Sequence, residues 1–186
     1  LQIYINSQAL GAQPLGSLAD NYSRLVLGNF LGIPNLVWFL AITAVVMYVI
    51  WNKTTLGKNM FAIGGNPEAA SVSGVNLVKN IMMIFLISGV LYGIAGFLEA
   101  ARIGSVTTST GTNYELDAIA SCVVGGVSFS GGVGTISGVL IGTVILQFIN
   151  YGLQYIGVNV YLQGIIKGLI IIAAVSIDVR KYIAKK

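Results

Sequence analysis

Apolar residues fall along this chain into five long runs separated by polar stretches: residues 34–51, 81–100, 114–131, 134–150 and 161–177. Runs of this length suit helices that cross the hydrocarbon core of a bilayer, which takes about 20 residues. The predicted fold is therefore all-α: a polytopic integral membrane helical bundle of about five transmembrane helices. The third run is the weakest, because Glu115, Asp117 and the glycines at 125, 126 and 131 interrupt it. Residues 1–33 are polar enough for an extracytoplasmic loop leading into the membrane region, with Pro14 and several Gly as turn signals. Residues 34–178 form the transmembrane domain, with a Ser/Thr/Gly connector over 102–113, and residues 179–186 a basic tail.

Between the first two runs lies a moderately polar, weakly basic island, residues 53–79. Inside it Asn66-Pro67-Glu68-Ala69-Ala70 reads as a helix start. Asn66 can cap, Pro67 suits the first helical position, and Glu68 faces the positive end of the dipole. Gly74 can stop that helix after about two turns. A short rigid helix held between two spans suits contact with a partner outside the membrane. An ordinary capped loop is the other reading, and the residues alone leave both open.

Composition agrees with the pattern. Of 186 residues, 55% are hydrophobic and only 9% charged, with mean hydropathy +0.84; a soluble domain carries about 25% charged residues. The net charge of +4 points to no nucleic acid, because the basic residues form no patch beside aromatics. They are sorted by side instead. Lys53, Lys58 and Lys79 lie in the 53–79 island, and Arg180, Lys181, Lys185 and Lys186 in the tail. The opposite segments hold only Arg24 and Arg102. The positive-inside rule then places the island and the C-terminus in the cytoplasm. Parity requires four crossings between them, so residues 114–131 are expected to cross fully, making five crossings.

Chemistry is mostly excluded. There is no His and one cysteine, Cys122, which reads as a small packing residue and rules out an intrachain disulfide. The six carboxylates are scattered, which leaves no metal set. The glycine-rich 125–134 stretch has no Lys and is not a phosphate loop, and its spacing does not fit a dinucleotide fingerprint. Ser128 sits in no nucleophile elbow. No ATPase, hydrolase or redox centre is expected, and transport, scaffolding or a channel remains. The chain opens on Leu1 without an initiator Met or signal-peptide pattern, and reads as the C-terminal portion of a longer polypeptide.

Small residues suggest how the spans pack. Gly134, Gly138 and Gly142 repeat every four residues, as do Gly89 and Gly93 (followed by Gly96), and Gly164 and Gly168. Such stripes let helix backbones approach closely, within one chain as the plainer reading or between subunits as the alternative. Glu115 and Asp117 can cap the third span or line a polar pathway. Lys167 can snorkel or pair with Glu115 or Asp117. Glu99 and Arg102, spaced i, i+3, are expected to pair locally. Asn150, Tyr151, Gln154, Tyr155, Asn159, Tyr161 and Gln163 cluster at the turn between the last two spans. They suit an interfacial belt, or contact with a neutral sugar or docked protein.

The run 56–74, LGKNMFAIGGNPEAASVSG, resembles the cytoplasmic loop of sugar permeases in bacterial ABC importers of the ribose and galactose type. Tyr114 to Ala120, Gly125 to Gly134 and Tyr151 to Val158 extend the resemblance, which covers residues ~34–186. The family subunit has about ten spans, so the resemblance is to its C-terminal half. It implies a pathway for a monosaccharide or small glycoside in the inner membrane, formed with a second permease subunit as a homodimer. It further implies a cytoplasmic ATP-binding subunit that carries the hydrolysis, a periplasmic sugar-binding protein, and no cofactor. Gly64, Gly65, Asn66, Pro67, Glu68, Ala69, Ala70, Ser73 and Gly74 would form the ATPase-coupling loop, with Ala69 and Ala70 against the partner. The alternatives are an ion-coupled secondary transporter, which calls for carboxylates at mid-membrane, and a structural membrane subunit.

Overall fold

A computed structural model describes residues 20–107 and 109–183 of the chain. The expectations for residues 1–19 and for Lys185 and Lys186 fall outside that range. In chain order the elements are α1 (Asp20–Leu27), β1 (Asn29–Phe30), β2 (Ile33–Pro34), α2 (Asn35–Lys53), α3 (Thr55–Gly65), α4 (Pro67–Val72), α5 (Leu77–Ile103), α6 (Tyr114–Val124), α7 (Ile136–Tyr155) and α8 (Val160–Ile183). The all-α membrane reading stands. Among the described residues, three helices are long and apolar enough to cross a bilayer: α2, α5 and α7. Inside α8, Leu162–Ser176 is a shorter apolar stretch.

The chain divides into two compact units. The first comprises residues 1–47 and 81–112. Residues 20–33, expected as loop, instead form α1 and, with Pro34 from the expected start of the first span, a two-stranded ribbon. Val26 is fully buried, and the Gly28 N–H closes α1 on the Arg24 carbonyl at 2.8 Å. Leu31 and Gly32 both take positive φ, 55° and 77°, the geometry of a tight hairpin turn, and Asn29 pairs with Pro34. Asn35 ties the start of α2 back to this knot, its side-chain Nδ2 donating to the Leu25 carbonyl at 2.8 Å. On α5, Phe97 receives Tyr22, ring edge against ring at 4.7 Å, and the Tyr22 hydroxyl donates to the Phe97 carbonyl. At the end of α5 the expected local pair forms, Arg102 Nη2 lying 2.7 Å from Glu99 Oε1.

The second unit comprises residues 48–80 and 113–186, and its core is α6 against α7. A Cβ built on Gly142 would fall 2.2 Å from the Ser121 carbonyl oxygen, and one on Gly138 would fall 2.2 Å from that of Gly125. The two helices are therefore antiparallel and in backbone contact, with Ala120 and Leu146 fully buried beside the seam. Close packing within the chain accounts for Gly138 and Gly142. Gly134 lies before the cap Thr135, outside the helix, and faces the Val127 side chain at 3.3 Å. Gly89, Gly93, Gly96, Gly164 and Gly168 have nothing within 4 Å of a built Cβ among the described residues.

The expected continuous helix over 114–131 is corrected. α6 has 11 residues, and at 1.5 Å per residue spans about 17 Å, roughly half a hydrocarbon core. It stops because Gly126 turns left-handed at φ 85°, and the Val127 N–H reaches back to the Cys122 carbonyl at 2.9 Å. Hydropathy carries on past that point, but the helix does not. The remainder, 125–135, is a chain of turns leading to the Thr135 cap of α7, whose side chain accepts from the Gly138 N–H.

Candidate functional site

The 53–79 island is more ordered than a loop. Thr54 caps α3, its hydroxyl accepting from the Gly57 N–H at 3.3 Å. A Cβ at Gly57 would sit 2.0 Å from the Trp51 carbonyl oxygen, so the elbow from α2 into α3 admits only glycine. α3 itself was not expected. Its apolar spacing, Leu56, Met60 and Ile63, was the available signal.

Asn66 ends α3 and begins α4. Its N–H donates to the Ala62 carbonyl at 3.0 Å while its Oδ1 accepts from the Ala69 N–H at 3.0 Å. Pro67 occupies the first helical position and Glu68 the first turn, and all three follow the sequence reading. α4 is six residues long, close to the two turns expected. It ends when the Ser73 hydroxyl donates to the Ala69 carbonyl and Gly74 takes φ 84°, letting the Val75 N–H bond the Ala70 carbonyl. One expectation is overturned. Ala70 is 4% exposed and packs against its own chain, so it is not free to meet a partner. The open face carries Glu68, Ala69, Ser71, Val72 and Ser73. Val72, which the sequence reading does not single out, is an open apolar side chain, 91% exposed. A face is set by which side the helix packs on, and that is not local information.

The α3–α4 segment is held from both sides. Asn59 Nδ2 donates to Asn80 Oδ1 at 3.1 Å, joining α3 to the first turns of α5. Gly64 and Gly65 lie directly against Gly131 and Gly132 in the turn before α7. That same turn is bound by Asp178 on α8, whose Oδ2 accepts from Ser128 Oγ at 2.7 Å and from the Phe129 N–H at 3.1 Å. Segments that charge assigns to one side of the membrane thus meet at one end of the unit.

A second group of candidates lies deeper. Lys167 Nζ contacts Asp117 Oδ1 at 2.6 Å, with side chains 16% and 25% exposed. Lys167 stands seven residues into α8, about 10 Å at helical rise. Extending the Ser121–Gly142 and Gly125–Gly138 register brings Asp117 level with the buried Leu146. Glu115 is exposed and does not join the pair. The polar cluster expected between the last two spans splits, with Gln154 and Asn159 exposed. Asn150 and Gln163 are buried at 6% and 7% exposure, with Gln163 Nε2 donating to the Val158 carbonyl, whereas Tyr151 and Tyr155 point outward. In the first unit a recess of about 170 Å³ is lined by Leu25, Phe30, Asn35, Trp38, Phe39 and Ile42. Its one amide already donates to Leu25, which leaves little to recognise a polyhydroxylated solute.

Residues 3–175 match the family described as branched-chain amino acid transport system / permease component. The chain is 54% identical over 182 residues to the galactose/methyl galactoside import permease protein of Haemophilus influenzae, covering 96% of this chain and 54% of that protein. It is 41% identical over 163 residues to the ribose import permease protein of Escherichia coli K12, covering 88% of this chain and 51% of that one. It is 44% identical over 153 residues to the xylose transport system permease protein of H. influenzae, covering 82% and 41%. The chain spans about half the length of the curated relatives it matches. No solved structure matches it.

Proposed function

The chain belongs to the permease-component family of branched-chain amino acid transport systems, and we propose on that premise that it is the membrane-embedded part of a sugar-importing ABC permease. The cargo is a monosaccharide or small glycoside of the galactose, ribose or xylose class, delivered by a periplasmic binding protein. A second permease subunit completes the pathway, and a cytoplasmic ATP-binding subunit performs the hydrolysis. The chain itself contributes no catalytic group. The reading is supported by relatives named for import of galactose/methyl galactoside and of ribose and for transport of xylose. The single observation that carries it is α4, a capped helix of six residues with an open face, set between two helices long enough to cross a bilayer.

α4 acts as a lever. Movement of the ATP-binding subunit shifts the short helix, and the helices joined to it tilt. Asn66 makes the lever stiff because one side chain and one backbone N–H fix both α3 and α4. The docking face is Glu68, Ala69 and Val72, not Ala70. In the complete transporter reconstituted in vesicles, Val72→Asp is expected to preserve abundance and binding-protein response while uptake per ATP hydrolysed falls about tenfold, within the usual range of coupling between sites. Wild-type uptake by Val72→Asp, with the ATP-binding subunit still bound, would remove α4 from the coupling role.

The same reading places α3, α4 and the C-terminus in the cytoplasm of a bacterial inner membrane, supported by the positive charge on those segments. In a Cys122→Ala background, cysteines at Lys58 and Asn159 report the two sides with an impermeant thiol reagent on intact cells. Labelling at 159 and protection at 58 are expected, and the reverse pattern would invert the orientation. An ion-coupled carrier is the less suitable reading, because Asp117 is engaged by Lys167 rather than open to a coupling ion.

A further inference from the structure

The turn between α6 and α7 is fastened on two sides by segments far apart in sequence, the end of α3 and Asp178 on α8. On one side it meets the end of α3 through backbone alone. A Cβ on Gly64 would lie 2.6 Å from the Gly132 nitrogen, one on Gly131 would lie 2.3 Å from the Gly64 carbonyl oxygen, and one on Gly132 would lie 2.9 Å from Gly65 Cα. A contact with no side chain in it has no rotamers through which to absorb displacement. On the other side Asp178 Oδ2 accepts from both Ser128 Oγ and the Phe129 N–H. The turn is braced internally as well: the Ser130 N–H donates to Ser128 Oγ at 3.1 Å and the Ser128 N–H to the Val133 carbonyl at 3.0 Å. Two residues further on, Thr135 caps α7.

We propose that the Ser128–Gly132 turn is a second transmission arm, carrying displacement of α4 through Gly64 and Gly65 to α7, and through Asp178 to α8. The inference rests on the import reading above but differs from it. There the force enters the helices covalently joined to the α3–α4 segment. Here it also enters helices joined to that segment only by packing. Asn66 ends α3 two residues after Gly64 and starts α4, so the lever and the glycine contact move together. Asp178 is a positioning residue: it touches no cargo and no nucleotide, and acts by holding the turn.

The test uses the complete transporter with its ATP-binding subunits, with and without a non-hydrolysable ATP analogue, read by hydrogen exchange and by uptake per ATP hydrolysed. Wild type is expected to show a nucleotide-dependent change both around α4 and at the first turns of α7. Asp178→Ala retains the change at α4, loses it at α7, and lowers uptake per ATP about fivefold, at the weak end of inter-site coupling. Asp178→Asn keeps a carbonyl oxygen in place of the accepting carboxylate oxygen and restores both readouts, which a general loss of stability would not permit. If Asp178→Ala fails to accumulate, Ser128→Ala removes only one of the two donors and carries the same comparison. A wild-type response confined to α4, or an unaltered α7 response in both alanine variants, overturns the proposal. A normal exchange pattern in a transporter that moves no sugar counts against the import reading and leaves the arm standing.

Discussion

Gly138→Leu is expected to abolish accumulation of folded protein in the membrane. A single methyl at this position already falls 2.2 Å from the Gly125 carbonyl oxygen and 2.8 Å from the Thr135 hydroxyl. The obstruction on one side is backbone, which no rotamer change relieves, and on the other the Thr135 hydroxyl, which can move only by giving up the α7 cap. Leucine adds three further carbons, and α6 must lift off α7 to admit them. That separation also uncovers the seam around Ala120 and Leu146, both fully buried. The cost exceeds about 3 kcal/mol, the upper end of ordinary overpacking, because helices in lipid associate through such close contacts. Gly138→Ala should be nearly as damaging. Gly168→Ala, with nothing within 4 Å of its Cβ among the described residues, is the internal control and should accumulate normally. Membrane abundance and thermal aggregation in detergent measure all three. A normally abundant Gly138→Leu protein would mean that α6 and α7 do not pack as described.

The contrast between those glycines shows what a sequence can and cannot disclose. The spacing of 134, 138 and 142 was legible as a stripe, yet nothing local says which stripes meet a neighbour. Gly138 and Gly142 do, while Gly89, Gly93 and Gly96 face open space among the described residues. Segments with self-contained chemistry were read correctly. Asn66, Pro67, Glu68 and Gly74 carry the start and stop of α4 in their own side chains and backbone preferences. α3 was missed because Gly57, Gly64 and Gly65 look like helix breakers. Gly57 and Gly64 are glycine because their surroundings leave no room for a Cβ, crowded by the Trp51 carbonyl and by the Gly131–Gly132 backbone, whereas a Cβ on Gly65 would meet nothing within 4 Å among the described residues. The short α6 was overextended because hydropathy does not register the left-handed Gly126 that ends it. Ala70 was aimed outward for a related reason: in a helix of six residues every position is near an exposed face, and packing alone selects the buried one.

The Asp117–Lys167 pair should behave as a structural pin, and single substitutions should hurt more than removal of both charges. Asp117→Leu leaves the Lys167 ammonium, on a side chain only 16% exposed, without its counter-charge. Breaking one side of a fully buried pair costs about 3 kcal/mol at the lower end of the usual range, and this partly buried pair should cost less. Snorkelling relieves part of this, because Lys167 lies only about 10 Å from the start of α8 by helical rise. Lys167→Met strands Asp117, which has the shorter side chain and less reach toward water, so it should be the more damaging single change. The double variant Asp117→Leu/Lys167→Met removes both desolvation penalties and replaces the pair with apolar packing, which is often neutral or stabilising. Abundance of the four proteins in a double-mutant cycle should therefore show strong positive coupling. Sugar uptake per folded transporter decides the role. If the pair only pins α6 to α8, uptake returns with abundance in the double variant. Restored abundance with uptake still lost would place Asp117 and Lys167 on the path that the cargo follows.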